Sequence, residues 1–179
     1  ENSKLYGLDL ETGEQRWVTE LKGAVYSSPA YYKNRIYISC YDNNVYAVSP
    51  VNGLIITSFN GFRSSFQASP VIGEEALYIG GAGQNKFFYK VGLSDLQQDW
   101  QILTADQIPS TAAIDPDEKF VYYIAVSENA AIPLAQLVKV RVENKEKIWG
   151  YSAGGSDMTT SPVLANDKVI FTSMDKNLH

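Results

Sequence analysis

Apolar and polar positions alternate along this chain in short bursts, and the bursts return. "RIYIS", "VYAV", "ALYIG", "FFYKV", "FVYYIAV" and "KVIFT" are runs of four to seven residues rich in Tyr, Val, Ile and Phe. Runs of that length and composition predict strands. Between them stand "YDNN", "ETGE", "PVNG" and "DPDE", whose Asn, Asp, Pro and Gly are hairpin residues. No segment carries the 3.6-residue period of a long amphipathic helix; "SENAAIPLAQL" has room for one short turn.

The bursts form a repeat. "LYGLDLETGEQRW" (5–17) aligns without a gap with "VYAVSPVNGLIIT" (45–57), "FYKVGLSDLQQDW" (88–100) and "LVKVRVENKEKIW" (137–149). Trp17, Thr57, Trp100 and Trp149 share one column, and Tyr6, Tyr46, Tyr89 and Val138 another. A Ser-Pro-small block recurs near Ser27, Ala68 and Thr160, with Thr111-Ala112-Ala113 in the remaining copy. The tyrosine column has spacings of 40, 43 and 49 residues, and 41 more reach His179. The long third spacing reflects an insertion near "SENAAIPLAQ", placed in a hairpin where added length costs little.

Four short strands in about 40–45 residues make a β-propeller blade. The expected fold is therefore all-β: one propeller domain over 1–179, built of four-stranded antiparallel blades, with about four blade equivalents present. The repeat units are 1–21, 22–61, 62–104, 105–152 and 153–179. Residues 1–6 align with 174–179, so the chain enters on the third strand of one blade and stops in the third strand of another. A contiguous portion of a larger propeller is expected. The alternative is a four-bladed ring closed by pairing the C-terminal inner strands with the N-terminal outer ones.

In "GLDLETGEQRW", Gly13 closes a tight turn between third and fourth strands, as Gly53 does in the next unit; both supply a positive φ. Trp17, Trp100 and Trp149 fall on the outer strand, where a large flat ring packs on the neighbouring blade and buries about 150–250 Å². A Trp in successive blades is scaffolding; a cofactor would use one blade once. Phe59, Phe62 and Phe66, with Arg63, lie in the connection "SFNGFRSSFQAS" and form a candidate interaction rim, since aromatics and Arg are enriched at interfaces.

Composition narrows the chemistry. Net charge is −5, and Lys and Arg are scattered without a basic stripe, which argues against a duplex nucleic acid partner. The single cysteine, Cys40, rules out an internal disulfide and a multi-Cys metal site, and is expected to be buried. No apolar run nears the ~18 residues of a membrane span, and no leader pattern is visible. His179 is the only histidine, so neither a Ser-His-Asp triad nor a His-based metal site is expected. "GGAGQNK" (80–86) opens no helix and lacks the Gly-Lys-Ser/Thr ending, so it reads as a loose hairpin rather than a phosphate loop. Asp42, Asn43 and Asn44, and Asp115, Asp117 and Glu118, read as turn residues.

Gly7 to Trp17 resembles the "A-x-D-x-x-T-G-x-x-x-W" tryptophan-docking motif of the PQQ-like (pyrroloquinoline quinone) repeat in quinoprotein alcohol dehydrogenase-like β-propellers. Residues 24–48 and 159–177 resemble it too, and the likeness covers essentially the whole chain. It is weaker where Leu96 and Lys145 replace the turn glycine. The resemblance implies the propeller fold but not an activity. Members of the superfamily include dehydrogenases that bind the quinone and Ca²⁺ in the propeller centre; others carry the repeats without any quinone. The quinone enzymes use a vicinal Cys-Cys disulfide and an Asp base beside Glu, Asn and Asp ligands for Ca²⁺. With one cysteine and turn-bound acids here, neither PQQ nor Ca²⁺ is expected. The expected role is a non-catalytic scaffold binding a protein or ligand. The alternatives are a piece of a PQQ-dependent dehydrogenase, or an accessory propeller of a larger enzyme or surface protein. Family habit points to the periplasm or cell surface.

Overall fold

The computed structural model describes residues 3–60, 62, 64–83, 86–104, 106–127, 134–152 and 160–173. Sixteen strands and no helix occupy these residues. They form three four-stranded and two two-stranded sheets, all antiparallel between neighbours. Blade 1 is β1 (Lys4–Leu8) and β2 (Gln15–Glu20). Blade 2 holds β3 (Ala30–Tyr32), β4 (Arg35–Ser39), β5 (Val45–Val48) and β6 (Ile55–Phe59). Blade 3 holds β7 (Val71–Ile72), β8 (Ala76–Gly80), β9 (Phe87–Gly92) and β10 (Gln98–Leu103). Blade 4 holds β11 (Ala113–Ile114), β12 (Phe120–Ser127), β13 (Leu134–Arg141) and β14 (Lys147–Tyr151). Blade 5 is β15 (Val163–Ala165) and β16 (Lys168–Ile170). In each complete blade the strands lie side by side in chain order.

No single core exists. One apolar cluster joins Leu5 and Leu21 of blade 1 to Ile38, Tyr46 and Val48 of blade 2. A second joins Tyr37, Val45 and Ala47 to Leu77, Ile79, Tyr89 and Val91 of blade 3. A third joins Tyr78 and Phe88 to Val121, Tyr123 and Val138 of blade 4. The fourth joins Tyr122, Ile124 and Leu137 to Phe171. Middle strands are thus sandwiched on both faces, which is why "VYAV" and "ALYIG" are apolar throughout rather than alternating.

Two devices recur along the chain. The turns Lys33-Asn34 and Asn166-Asp167 hold both residues at positive φ, the backbone of a tight two-residue hairpin. A β-bulge precedes the tryptophan column in all four third-to-fourth strand pairs, at Gly7/Leu8, Ala47/Val48, Gln98/Trp100 and Lys139/Val140. A bulge at a constant position re-aims the residue that follows it. The insertion at 128–133 lies outside the described residues, between β12 and β13, which remain paired at Ser127 and Leu134.

Candidate functional site

The motif that stands out in the sequence is a docking device between blades. Asp9 shapes its turn: one carboxylate oxygen accepts from the Glu11 and Thr12 amides and the Thr12 hydroxyl. The other accepts from the Arg16 guanidinium at 2.8 Å. Those partners, Arg16 first, hold the Asp9 carboxyl down at about 2. Four turns share one backbone pattern, in which the amide of Asp9, Ser49, Gly92 or Arg141 donates to a carbonyl five residues on. Gly13 and Gly53 sit there at φ 73° and 71°. Leu96 and Lys145 occupy the same place at φ 57° and 63°, so the turn keeps its shape where the glycine is lost.

Trp17 lies opposite Gly7 on the paired strand. A Cβ on Gly7 would come 2.1 Å from the indole, so the ring lies flat on bare backbone. Its other side meets blade 2: Gly53 would carry a Cβ 2.6 Å from the ring, and the indole N–H donates to the Pro50 carbonyl at 3.0 Å. The Thr19 hydroxyl donates to the Gly53 carbonyl beside it. Trp100 sits beside Tyr78 and Phe88 of its own blade, packed on the cluster shared with blade 4. Trp149 reaches Tyr122 of its own blade but stays exposed, on a groove of about 790 Å³ with Leu137 and Tyr151 on one wall and Val169 and Phe171 on the other.

The candidate rim needs correcting. Phe62 and Phe66 are buried, edge-to-face with one another and with Tyr89 at 4.9–5.8 Å, and Phe59 closes on Phe62 at 5.0 Å. Three aromatics in a connecting segment are worth more between two sheets than on a loop surface, because each buries its whole ring there. Arg63 lies outside the described residues, as does His179. Aromatic surface is found instead at Tyr26 and Tyr41, exposed and edge-to-face at 5.8 Å at one end of blade 2.

A second docking device went unread in the sequence. The Ser28 amide donates to the Ser69 hydroxyl at 2.8 Å, Ser69 to Thr111 at 3.3 Å, and Thr111 to Ser161 at 3.1 Å. Blades 2 to 5 are thus tied each to the next beside their innermost strands. The signal was present, a hydroxyl at one column in all four copies, but it was masked by the neighbouring proline, which suggests only a turn.

The acidic turn residues singled out in the sequence serve structure. Asp42 orders its turn through the Asn44 amide and accepts from the Tyr46 hydroxyl at 2.5 Å. Asp115 accepts from the Phe120 amide, Asp117 pairs with exposed Lys119, and Glu118 accepts from the Glu74 amide of the neighbouring blade. Gly80 and Gly81 are small because Ile108 and Ser64 pass within 2.2 and 2.4 Å of where their Cβ atoms would be. Burial, first of all, pushes the Cys40 thiol up to about 11, which leaves it unreactive. Among the described residues no three of His, Cys, Asp and Glu come together in a way that could hold a metal ion. Among the described residues Asp9, Asp42, Asp95 and Asp115 are each engaged by the amides of their own turns.

The profile of the family described as outer membrane protein assembly factor BamB matches residues 1–179. The chain belongs to that BamB family. Among solved structures, BamB from Moraxella catarrhalis superposes with a TM-score of 0.75 at 18% identity, covering 98% of this chain and 50% of that one. Quinohemoprotein alcohol dehydrogenase from Comamonas testosteroni gives 0.80 at 14% identity, over 96% of this chain and 37% of that one. The computationally designed Ika4 protein gives 0.74 at 12% identity, over 94% and 97%. At such identities the likeness is one of fold: PQQ-like repeat blades in an arc. The chain spans half the length of the BamB structure and less of the dehydrogenase. Curated proteins give no sequence match. No helix among the described residues is long and apolar enough to cross a membrane.

Proposed function

We propose that this chain is a non-catalytic propeller arc that binds a protein partner during outer membrane protein assembly, in the periplasm or at the cell surface. The match to the BamB family over its full length carries this reading. The structure is in keeping with it. Among the described residues Asp9, Asp42, Asp115 and Glu118 are engaged in turns and blade contacts, while the Tyr26–Tyr41 pair offers an exposed aromatic anchor. No quinone or Ca²⁺ takes part. Loss of the gene should lower the amount of folded β-barrel protein in the outer membrane of its cell. The wild-type gene should restore it, and a Tyr26→Ala/Tyr41→Ala variant that is expressed and folded should not. Unchanged outer membrane protein levels on gene loss would overturn the proposal.

The superposition on the dehydrogenase favours one rival, a piece of a quinoprotein. Under the rival, adding PQQ with Ca²⁺ quenches tryptophan fluorescence saturably. Under the proposal the signal stays flat.

A further inference from the structure

In the four aligned turns one side chain holds the amide two residues on. The Thr12 hydroxyl accepts from the Glu14 amide at 3.3 Å, Asn52 Oδ1 from Leu54 at 3.2 Å, Asp95 Oδ1 from Gln97 at 3.0 Å and Asn144 Oδ1 from Glu146 at 3.2 Å. The residue that follows differs: Gly13, Gly53, Leu96 and Lys145. Of these turns, Asn52–Gly53 alone sets a side-chain amide before a glycine. Asparagine is a thermolabile residue, because the next backbone nitrogen can attack its Cγ. A side chain on that next residue hinders the attack, and glycine has none. Thr12 has no amide to lose, and Leu96 and Lys145 shield the turns they follow.

The fold opposes the reaction at Asn52. The Gly53 N–H, on the nitrogen that would attack, donates to the Ser49 carbonyl at 3.0 Å. The Asn52 carboxamide is held on the Leu54 amide. Closing the cyclic imide also swings the Asn52–Gly53 peptide, and Gly53 has no room to follow. It is buried at φ 71°, with the Trp17 ring 2.6 Å from where its Cβ would be. Its carbonyl accepts from the Thr19 hydroxyl. Trp17 and Thr19 belong to blade 1, so the restraint on this bond of blade 2 comes from its neighbour. Asn52 itself is exposed, and water reaches it freely.

We propose that Asn52 is an isoaspartate-forming site gated by the Trp17 dock, unreactive while blade 1 covers the turn of blade 2 and reactive when the two part. The inference is independent of the assembly role proposed above. The Gly53 nitrogen gives up its proton and bonds to Asn52 Cγ. The bond from Cγ to the carboxamide nitrogen breaks, and ammonia leaves with that proton. Water then opens the imide, at one carbonyl to aspartate and at the other to isoaspartate. No oxidant or cofactor enters the balance. Isoaspartate lengthens the backbone by a carbon beneath a ring that leaves no space for a methyl, so the turn cannot return to its place under Trp17. The product marks, irreversibly, a turn that has come out from under its neighbour.

Ageing the full chain in warm neutral buffer, with and without guanidinium chloride, tests the proposal. Trypsin releases residues 36–63, and fragment-ion mass spectrometry separates Asn52 from Asn60, which also precedes a glycine. Asn52 should convert at least about tenfold more slowly in the native chain than in the denatured one, as for a reaction that waits on local opening. Trp17→Ala removes the cover, and Thr19→Val removes the hydroxyl at nearly constant shape. Each should speed native conversion at Asn52. If Trp17→Ala unfolds the chain, its far-ultraviolet spectrum shows it and Thr19→Val decides. Equal rates in native and denatured wild type would overturn the proposal. So would conversion no faster than wild type in the folded variants.

Discussion

The four-fold turn offers an experiment with an internal control. Leu96 and Lys145 both stand at the position that Gly13 and Gly53 fill, with φ of 57° and 63°. A side chain held in the left-handed region costs about 1 kcal/mol or slightly more. Glycine removes that cost but loosens the unfolded chain, which returns about 0.4–1 kcal/mol of it. Lys145 is exposed, so Lys145→Gly changes little else, and a net gain of roughly 0.5 kcal/mol is expected. Leu96 is fully buried in the cluster between blades 2 and 3. Removing its side chain costs about 2–5 kcal/mol, which overwhelms the same relief. In a thermal melt of a chain this size, about 2–4 °C accompanies each kcal/mol. Lys145→Gly should therefore raise the midpoint by about 1–2 °C, and Leu96→Gly should lower it by roughly 4–15 °C. Opposite signs at one repeat position are the result that matters. If both variants moved the midpoint the same way, the assignment of backbone strain to this turn would be wrong.

Three further outcomes follow from the docking contacts. Gly53→Ala drives a methyl into the Trp17 ring and the Thr19 hydroxyl, and should destabilise by about 2–4 kcal/mol in urea unfolding, strain and overpacking together; Trp17 fluorescence should shift with it. Thr111→Val removes the acceptor for the Ser69 amide at nearly constant shape, and should cost about 1 kcal/mol in the same assay; no loss would remove the hydroxyl relay from the forces joining blades. The Asp9 carboxyl, lowered from 3.8 to about 2 by Arg16 and the turn amides, adds stability above the unfolded value that fades as pH falls from near 4 toward 2. Wild type should therefore lose stability relative to Asp9→Asn across that window in acid unfolding, and parallel curves would refute the contribution.

The blade was legible because each strand is sandwiched the same way, so its residue pattern repeats as its environment does. The turn could be followed even into units that lack its glycine, since the Trp and Tyr columns hold the alignment at Leu96 and Lys145. What the sequence concealed depends on distance between chain segments. Phe62 and Phe66 lie in a connection that looks like surface, and only the approach of Tyr89 shows them to be core. The bulge before each Trp leaves no residue signature, because a bulge is a matter of pairing count. The Ser28–Ser69–Thr111–Ser161 relay was written in one column, yet its meaning required knowing that successive blades stand side by side at their inner strands.

The same modularity bears on function. Each apolar cluster lies between two neighbouring blades, so stability is a sum of local interfaces with no centre whose loss would unfold the whole. Buried hydroxyls reinforce this: Ser27 donates to the Ser39 carbonyl, and Ser39 in turn to the Ala68 carbonyl of the next unit. A fold whose interior is committed to joining blades leaves its loops and ends free to change without structural cost. Under the proposed binding role, recognition then belongs at the blade ends, as at Tyr26 and Tyr41.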